Sequence, residues 1–367
     1  MQMQVTIAIP RHRCLLRTLA TGWLIVLAGC AAAPPKPEPG AAIQAVFPAP
    51  PALARYRYER TIYGSKDVLK PAGHDAVLRF LHKLDPSAGP GLSSPHAIAV
   101  DHGKVFVSNP DEGRVNVFDL PGQRFYSIGE SGPGTLQKPL GLSVDRAGRL
   151  FVADGFSNVI QVYDTQGKYL RSIGGPDWFT RLVAVSADPD GSRLYAIDAG
   201  APLASAPQVR VFDPRDGSHL LDFGARGSGP GEFNLPTDLA LDSSGQLHVL
   251  DGGNYRVQIF DRLGKFVRSF GSAGKPPGRF GRPKAIAIDA DGNIDVVDSL
   301  FGGILVFSPT GEPQYAIGGR NDTKGTWDAM LPVGIAIDTD GSLYCLDQGY
   351  RKIDVLRPLV ARRTGAQ

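Results

Sequence analysis

The stretch LPTDLALDSSGQLHVLDGGNYRVQIFDRLGKFVRSFG, residues 235–271, decides the fold. It holds four short runs, DLALD, QLHVLD, RVQIFD and KFVRSFG, in which apolar and polar residues alternate with the period of a strand. Between them SSG, GGN and RLG supply turn chemistry. Four consecutive antiparallel strands make one blade of a β-propeller, so the expected class is all-β.

Working outward, the same unit recurs in register. The Asp that closes its first strand returns as Asp101, Asp145, Asp188, Asp242, Asp289 and Asp338, at the spacing of propeller blades. The second strand closes with Asn109, Asp154, Asp198, Asp251, Asp298 and Asp347. A third marker follows at Asp119, Asp164, Asp213 and Asp261, with Ser308 and Arg357 in the last two slots. Six units predict six blades. The links between them carry a GPGxFxxP pattern: GPGLSSP (89–95), GPGTLQKP (132–139), GPGEFNLP (229–236) and PPGRFGRP (276–283). Trp178 and Trp327 lie near the link slot that Phe233 and Phe280 fill, and are expected to plug the core there.

The sixth repeat supplies only three strands before the chain ends. ARYRYERTIYG, residues 54–64, alternates like an outer strand and is expected to complete that blade, which removes an open edge. Between it and the first repeat, DAVLRFLHKLD places Ala76, Val77, Phe80, Leu81 and Leu84 on one face of a short helix. The domain plan is therefore 1–29 leader, 30–53 tether, 54–88 closing strand and helix, 89–358 six blades and 359–367 tail.

The leader carries Arg11, Arg13 and Arg17, then an apolar stretch from Leu19 to Leu27, too short to span a bilayer permanently. It ends in Leu27-Ala28-Gly29-Cys30, which resembles the bacterial lipobox and implies lipidation of Cys30. With Cys14 in the leader and Cys30 acylated, Cys345 is left alone and no internal disulfide is available. The tether holds seven prolines in the 24 residues after Cys30. As polyproline II it would reach roughly 70 Å from a membrane. Ala31 and Ala32 follow Cys30 where an inner-membrane retention signal would place Asp, so the resemblance implies the outer membrane, facing the periplasm.

The three leader arginines are the only charged residues before Cys30, so the 39 basic residues fall to 36 beyond it, against 36 acidic. A neutral domain lacks the basic footprint of phosphate-backbone binding, and nucleic acid is not an expected partner.

The repeats over about 89–358, with their Asp markers and GPGxFxxP links, resemble NHL repeats. The third repeat departs by an insertion, APLASAPQ (201–208), and the fifth by SLFGGILVFS, without the usual charge before its third strand. The resemblance implies a ligand face where the chain enters each first strand. The slots there are His96-Ala97, Leu140-Gly141, Val183-Ala184, Thr237-Asp238, Lys284-Ala285 and Val333-Gly334. His96, Thr237, Asp238 and Lys284 are the candidate ligand-face residues.

Propellers of this kind include an amidating lyase that holds zinc with several axial histidines, and catalytic zinc normally has three protein ligands. One His in six slots does not supply them, and Asp238 is the single carboxylate where a lactonase-like site would need several. No catalytic residue, metal ligand or cofactor is assigned. DPDGS, DADGN and DTDGS resemble the start of a calcium loop but lack its glutamate and read as hairpin turns. Arg114, Arg256 and Lys352 each follow a second-strand marker by five residues and read as structural partners of that loop. The expected function is a membrane-anchored binding or scaffolding module for an envelope protein or peptide. The rival is a metal-dependent lyase or hydrolase at the central opening.

Overall fold

The computed structural model describes residues 45–69, 91–202, 204–320 and 327–359. The helix read at 75–85 and Cys30 lie outside them. Strands dominate, and among the described residues no helix is long and apolar enough to cross a membrane.

Six antiparallel sheets follow one another along the chain. Blade four shows the common plan: Pro236–Leu241 inside, then Leu247–Asp251, Arg256–Phe260 and Phe266–Phe270 outside. Blade six is closed as expected. Its inner strands Pro332–Ile337, Leu343–Asp347 and Lys352–Pro358 are joined on the outside by Tyr56–Ile62, which pairs antiparallel with Lys352–Pro358. Thr61 Oγ1 donates to Asp354 at 2.5 Å, and Lys352 Nζ meets the same carboxylate at 2.9 Å, so a polar contact fixes this closure.

One stretch of the expected tether belongs to the ring. Val46–Phe47 adds a fifth strand beside Tyr56–Ile62. Phe47 is buried edge-on against Trp327, ring centroids 5.6 Å apart. Burial of one aromatic side chain outweighs the poor strand propensity of its proline-rich neighbours.

Side chains of adjacent blades interdigitate to form the core. Among the described residues six apolar clusters stand one at each blade interface, from Phe106, Leu150 and Tyr163 between blades one and two to Phe47, Val297 and Cys345 between five and six. The links plug these interfaces with Leu92, Leu136, Phe179, Phe233, Phe280 and Trp327. Gly271 shows why glycine precedes the plug: its φ is 94°, and a Cβ there would lie 2.4 Å from the Phe280 ring.

Trp327 fills its slot as expected, with Nε1 donating to Gly302 O at 3.2 Å. Trp178 does not. It is 38% exposed and stacks on His219, while its neighbour Phe179 takes the core position.

The second-strand Asp explains how each link is held. Asp154 accepts the backbone N–H groups of Gln137 and Lys138 at 2.8 and 3.0 Å, and Asp198 those of Thr180 and Arg181 at 3.1 and 2.9 Å. Asp298 takes Gly281 and Arg282, and Asp347 takes Met330 and Leu331. A carboxylate accepting several N–H groups fixes a loop that no strand ladder satisfies.

Arg256 joins that arrangement at 3.0 Å from Asp251. Arg114 pairs instead with Glu112 and Glu130, and Lys352 with Asp354. The first-strand Asp residues close hairpins: Asp145 accepts the N–H of Ala147 and Arg149, and Asp289 those of Asp291 and Asn293.

Candidate functional site

Inner strands run from one face of the ring, where the links and the second-to-third loops lie, to the other, where the tight turns lie. The first will be called the mouth face and the second the turn face. A cavity of about 890 Å³ runs along the axis, walled by the six inner strands.

A recurring irregularity aims the side chains at the mouth. In blades two to six the register of the inner strand shifts after its first residue: Pro236 pairs with Asp251 and Asp238 with Leu250, leaving Thr237 as the extra residue. Lys284 stands in the same position in blade five, Val183 in blade three and Val333 in blade six. A bulge of this kind re-aims one side chain without breaking the sheet. The slots read from the sequence as lining the opening are among the cavity's lining residues.

His96, Thr237, Asp238 and Lys284 all line this cavity. Their situations differ. Thr237 Oγ1 donates back to Leu250 O at 3.4 Å. Asp238 bridges two blades, accepting the N–H of Leu239 at 2.9 Å and that of Ile286, in the next inner strand, at 2.9 Å. Burial pushes its carboxyl up to about 7 against the pull of those two N–H groups.

His96 lines the lumen, open to the cavity but ringed by the protein that walls it. Burial, then Lys284 and Lys138, hold its ring below the ordinary histidine value, so it is neutral at pH 7. The Lys284 ammonium is itself pulled down by burial and by Arg282.

Two cations escaped the sequence reading, which looked only at the bulge tier. Lys138 and Arg181 also line the cavity, each two residues before a bulge-tier slot. Their backbones are the ones latched by Asp154 and Asp198, which sets where their side chains start. The usable signal was register: Ser94, Lys138, Arg181, Leu235, Arg282 and Leu331 form a second column beside the first.

Among the described residues Lys138, Arg181 and Lys284 have no carboxylate partner; Arg181 Nη2 donates only to Ala199 O, at 3.2 Å. Below the mouth the wall turns small and apolar, with Ala97, Gly141, Ala184, Ala285 and Gly334. Among the described residues no group of three or more His, Cys, Asp or Glu side chains is placed to hold a metal ion.

A family model described as a six-bladed β-propeller matches residues 242–318. Human NHL repeat-containing protein 3 is 32% identical over 107 residues, which are 29% of this chain and 29% of that protein. Human E3 ubiquitin-protein ligase TRIM32 is 53% identical over 45 residues, 12% of this chain and 7% of the ligase. These matches span less than a third of either relative's length.

Among solved structures, a protein of unknown function from Bacteroides thetaiotaomicron superposes with a TM-score of 0.58 at 17% identity, covering 82% of this chain and 75% of its own. A gluconolactonase from Xanthomonas campestris gives 0.55 at 15% identity, covering 72% and 86%. At these identities the structures speak for fold alone. The chain is a six-bladed β-propeller built from NHL-like repeats.

Proposed function

We propose that this propeller is a binding module, held at the periplasmic side of an outer membrane through a lipid on Cys30, that receives an envelope protein or peptide on its mouth face. One observation carries the binding reading. Large apolar side chains stand exposed around the mouth: Phe156 at 69%, Leu300 at 61%, Met330 at 54% and Leu235 at 53%. They sit on the links and second-to-third loops of four different blades. Exposed apolar groups on the loops that rim one cavity offer a partner an interaction surface.

Two measurements test the two halves. Palmitate labelling and membrane fractionation of cells making the wild type and Cys30→Ser should show label and membrane retention only in the former. A soluble, unlabelled wild type rejects the anchor. Photo-crosslinkers at positions 156 and 300 should trap a partner in intact cells, and one at Leu263 on the turn face should not. Equal trapping at all three rejects the mouth face.

A second reading, a lyase or hydrolase at the central opening, has one observation in its favour. The Asp238 carboxyl, held near 7 inside the cavity, is poised for proton transfer. A divalent metal bound one-to-one in the purified chain would move the balance towards that reading.

A further inference from the structure

We infer that the mouth recognises the free C-terminal carboxylate of a peptide, which Lys138, Arg181 and Lys284 hold while the residues before it lie on the apolar rim. The inference rests on the binding reading above and names the chemistry it would use.

Many cations elsewhere on this ring are held by a carboxylate, and others, such as Arg226 and Arg320, by backbone carbonyls. Arg124 meets Asp119, Arg149 meets Asp145, Arg215 meets Asp213, Arg262 meets Asp188 and Arg357 meets Glu59. What sets Lys138, Arg181 and Lys284 apart is that all three line one cavity without a carboxylate partner among the described residues, a concentration of positive charge that favours an anion there. They are placed by backbone, not by chance: Lys284 by its bulge, Lys138 and Arg181 by the Asp latches. Pre-positioned donors lose little freedom on binding.

Asp111 and Asp238 also line the cavity. Asp111 is an exposed residue of the first blade's second-to-third loop. Asp238 spends both oxygens on backbone N–H groups, and a carboxyl near 7 is about half neutral at physiological pH. His96, neutral there, offers a ring nitrogen and adds no charge. The mouth therefore stays cationic although the chain beyond residue 29 is balanced.

Three features favour a chain end. The inner strands pair on one side only, so their axial edges offer backbone N–H and C=O groups to an entering peptide. The axial cavity, about 890 Å³ from mouth to turns, is walled by small side chains below the mouth and has room for a terminal side chain. A chain end reaches the cations without doubling back through the ring. An extended polyphosphate would need a longer basic track than three side chains.

The test uses the unlipidated Cys30→Ser chain, immobilised, and two pools of randomised hexapeptides rich in apolar residues. One pool ends in a free carboxylate and the other in an amide. The acid pool should be retained about tenfold or more above the amide pool, as expected for losing a charge-assisted hydrogen bond. Lys138→Met with Lys284→Met should bring acid retention down to the amide level, with the melting temperature unchanged. Phe156→Ser with Leu300→Ser should lower both pools together.

Equal retention of acid and amide overturns the carboxylate assignment and leaves the rim reading standing. Retention of neither overturns both. Displacement of bound peptide by phosphate but not by acetate, at equal ionic strength, assigns the cations to another anion and also overturns the carboxylate.

Discussion

The two faces of this ring use charge in opposite ways. On the turn face carboxylates hold the turns and join blades: Asp145 takes two backbone N–H groups and the Arg149 side chain, Asp261 takes Leu263 and Lys265, Asp164 takes Gln166 and Lys168, and Asp338 takes the N–H groups of His102 and Gly103 in the next blade. On the mouth face the latching carboxylates are equally engaged, yet Lys138, Arg181 and Lys284 stand without acidic partners among the described residues. Charge on the first face holds the blades. At the mouth three cations that line one cavity have no acidic partner among the described residues, in a repeat that otherwise treats its blades alike.

Replacing a turn-face carboxylate should do the most damage. Asp145→Ala strands two N–H groups and leaves the Arg149 guanidinium, only 20% exposed, without its partner. Breaking such a pair costs about 3 kcal/mol or more, read as a fall in the urea midpoint. A loss under about 1 kcal/mol would erase the contrast between the faces.

Asp238→Asn should act next in size, and with a sign set by pH. The folded chain holds this proton up to about 7, whereas an ordinary carboxyl releases it near 3.8. The group's contribution is thus fully present below about pH 4 and is lost as pH rises to about 7. Asparagine removes that loss. The variant should gain on the wild type between pH 4 and 7 by about 2 kcal/mol, roughly half of what the full displacement from 3.8 to about 7 would carry, because the carboxyl is partly open to the cavity. A flat difference across that range would show that Asp238 is ionised throughout.

The smallest effect belongs to the mouth cations. Lys138→Met and Lys284→Met should leave stability within about 0.5 kcal/mol of the wild type in chemical denaturation, because neither side chain holds the fold. A larger loss would place them among the structural charges.

Much of this was legible in the sequence because one solution is written six times. The Asp columns announce blades, and a missing fourth strand announces the N-terminal closure that Tyr56–Ile62 provides. What escaped depends on contacts no repeat encodes. Phe47 is ordered by Trp327, far along the chain, and so pulls a piece of the proline-rich segment into the ring. Trp178 and Phe179 are adjacent aromatics in a link shorter than its neighbours; both rings meet Phe212, but Phe179 enters the buried cluster with Ile173 and Leu182 while Trp178 stacks outside it on His219.

Site residues divide the same way. His96, Thr237, Asp238 and Lys284 could be placed at the cavity from sequence because bulge positions keep register with the markers. Lys138 and Arg181 were missed because their aim follows from the Asp latch, a contact between side chain and link. Conversely, the role of Asp238 as a bridge to Ile286 became visible only with neighbouring blades side by side.

The contrast between faces comes down to one measurement: binding of a crosslink-identified partner peptide to the wild type, to a mouth-rim variant carrying Phe156→Ser, Leu300→Ser and Met330→Ser, and to the turn-face variant Leu263→Ser, all with matched melting temperatures. Binding that falls at least tenfold in the rim variant and is unchanged in Leu263→Ser is the expected result. Undiminished binding by the rim variant, or loss in Leu263→Ser, would contradict a mouth-face binding module.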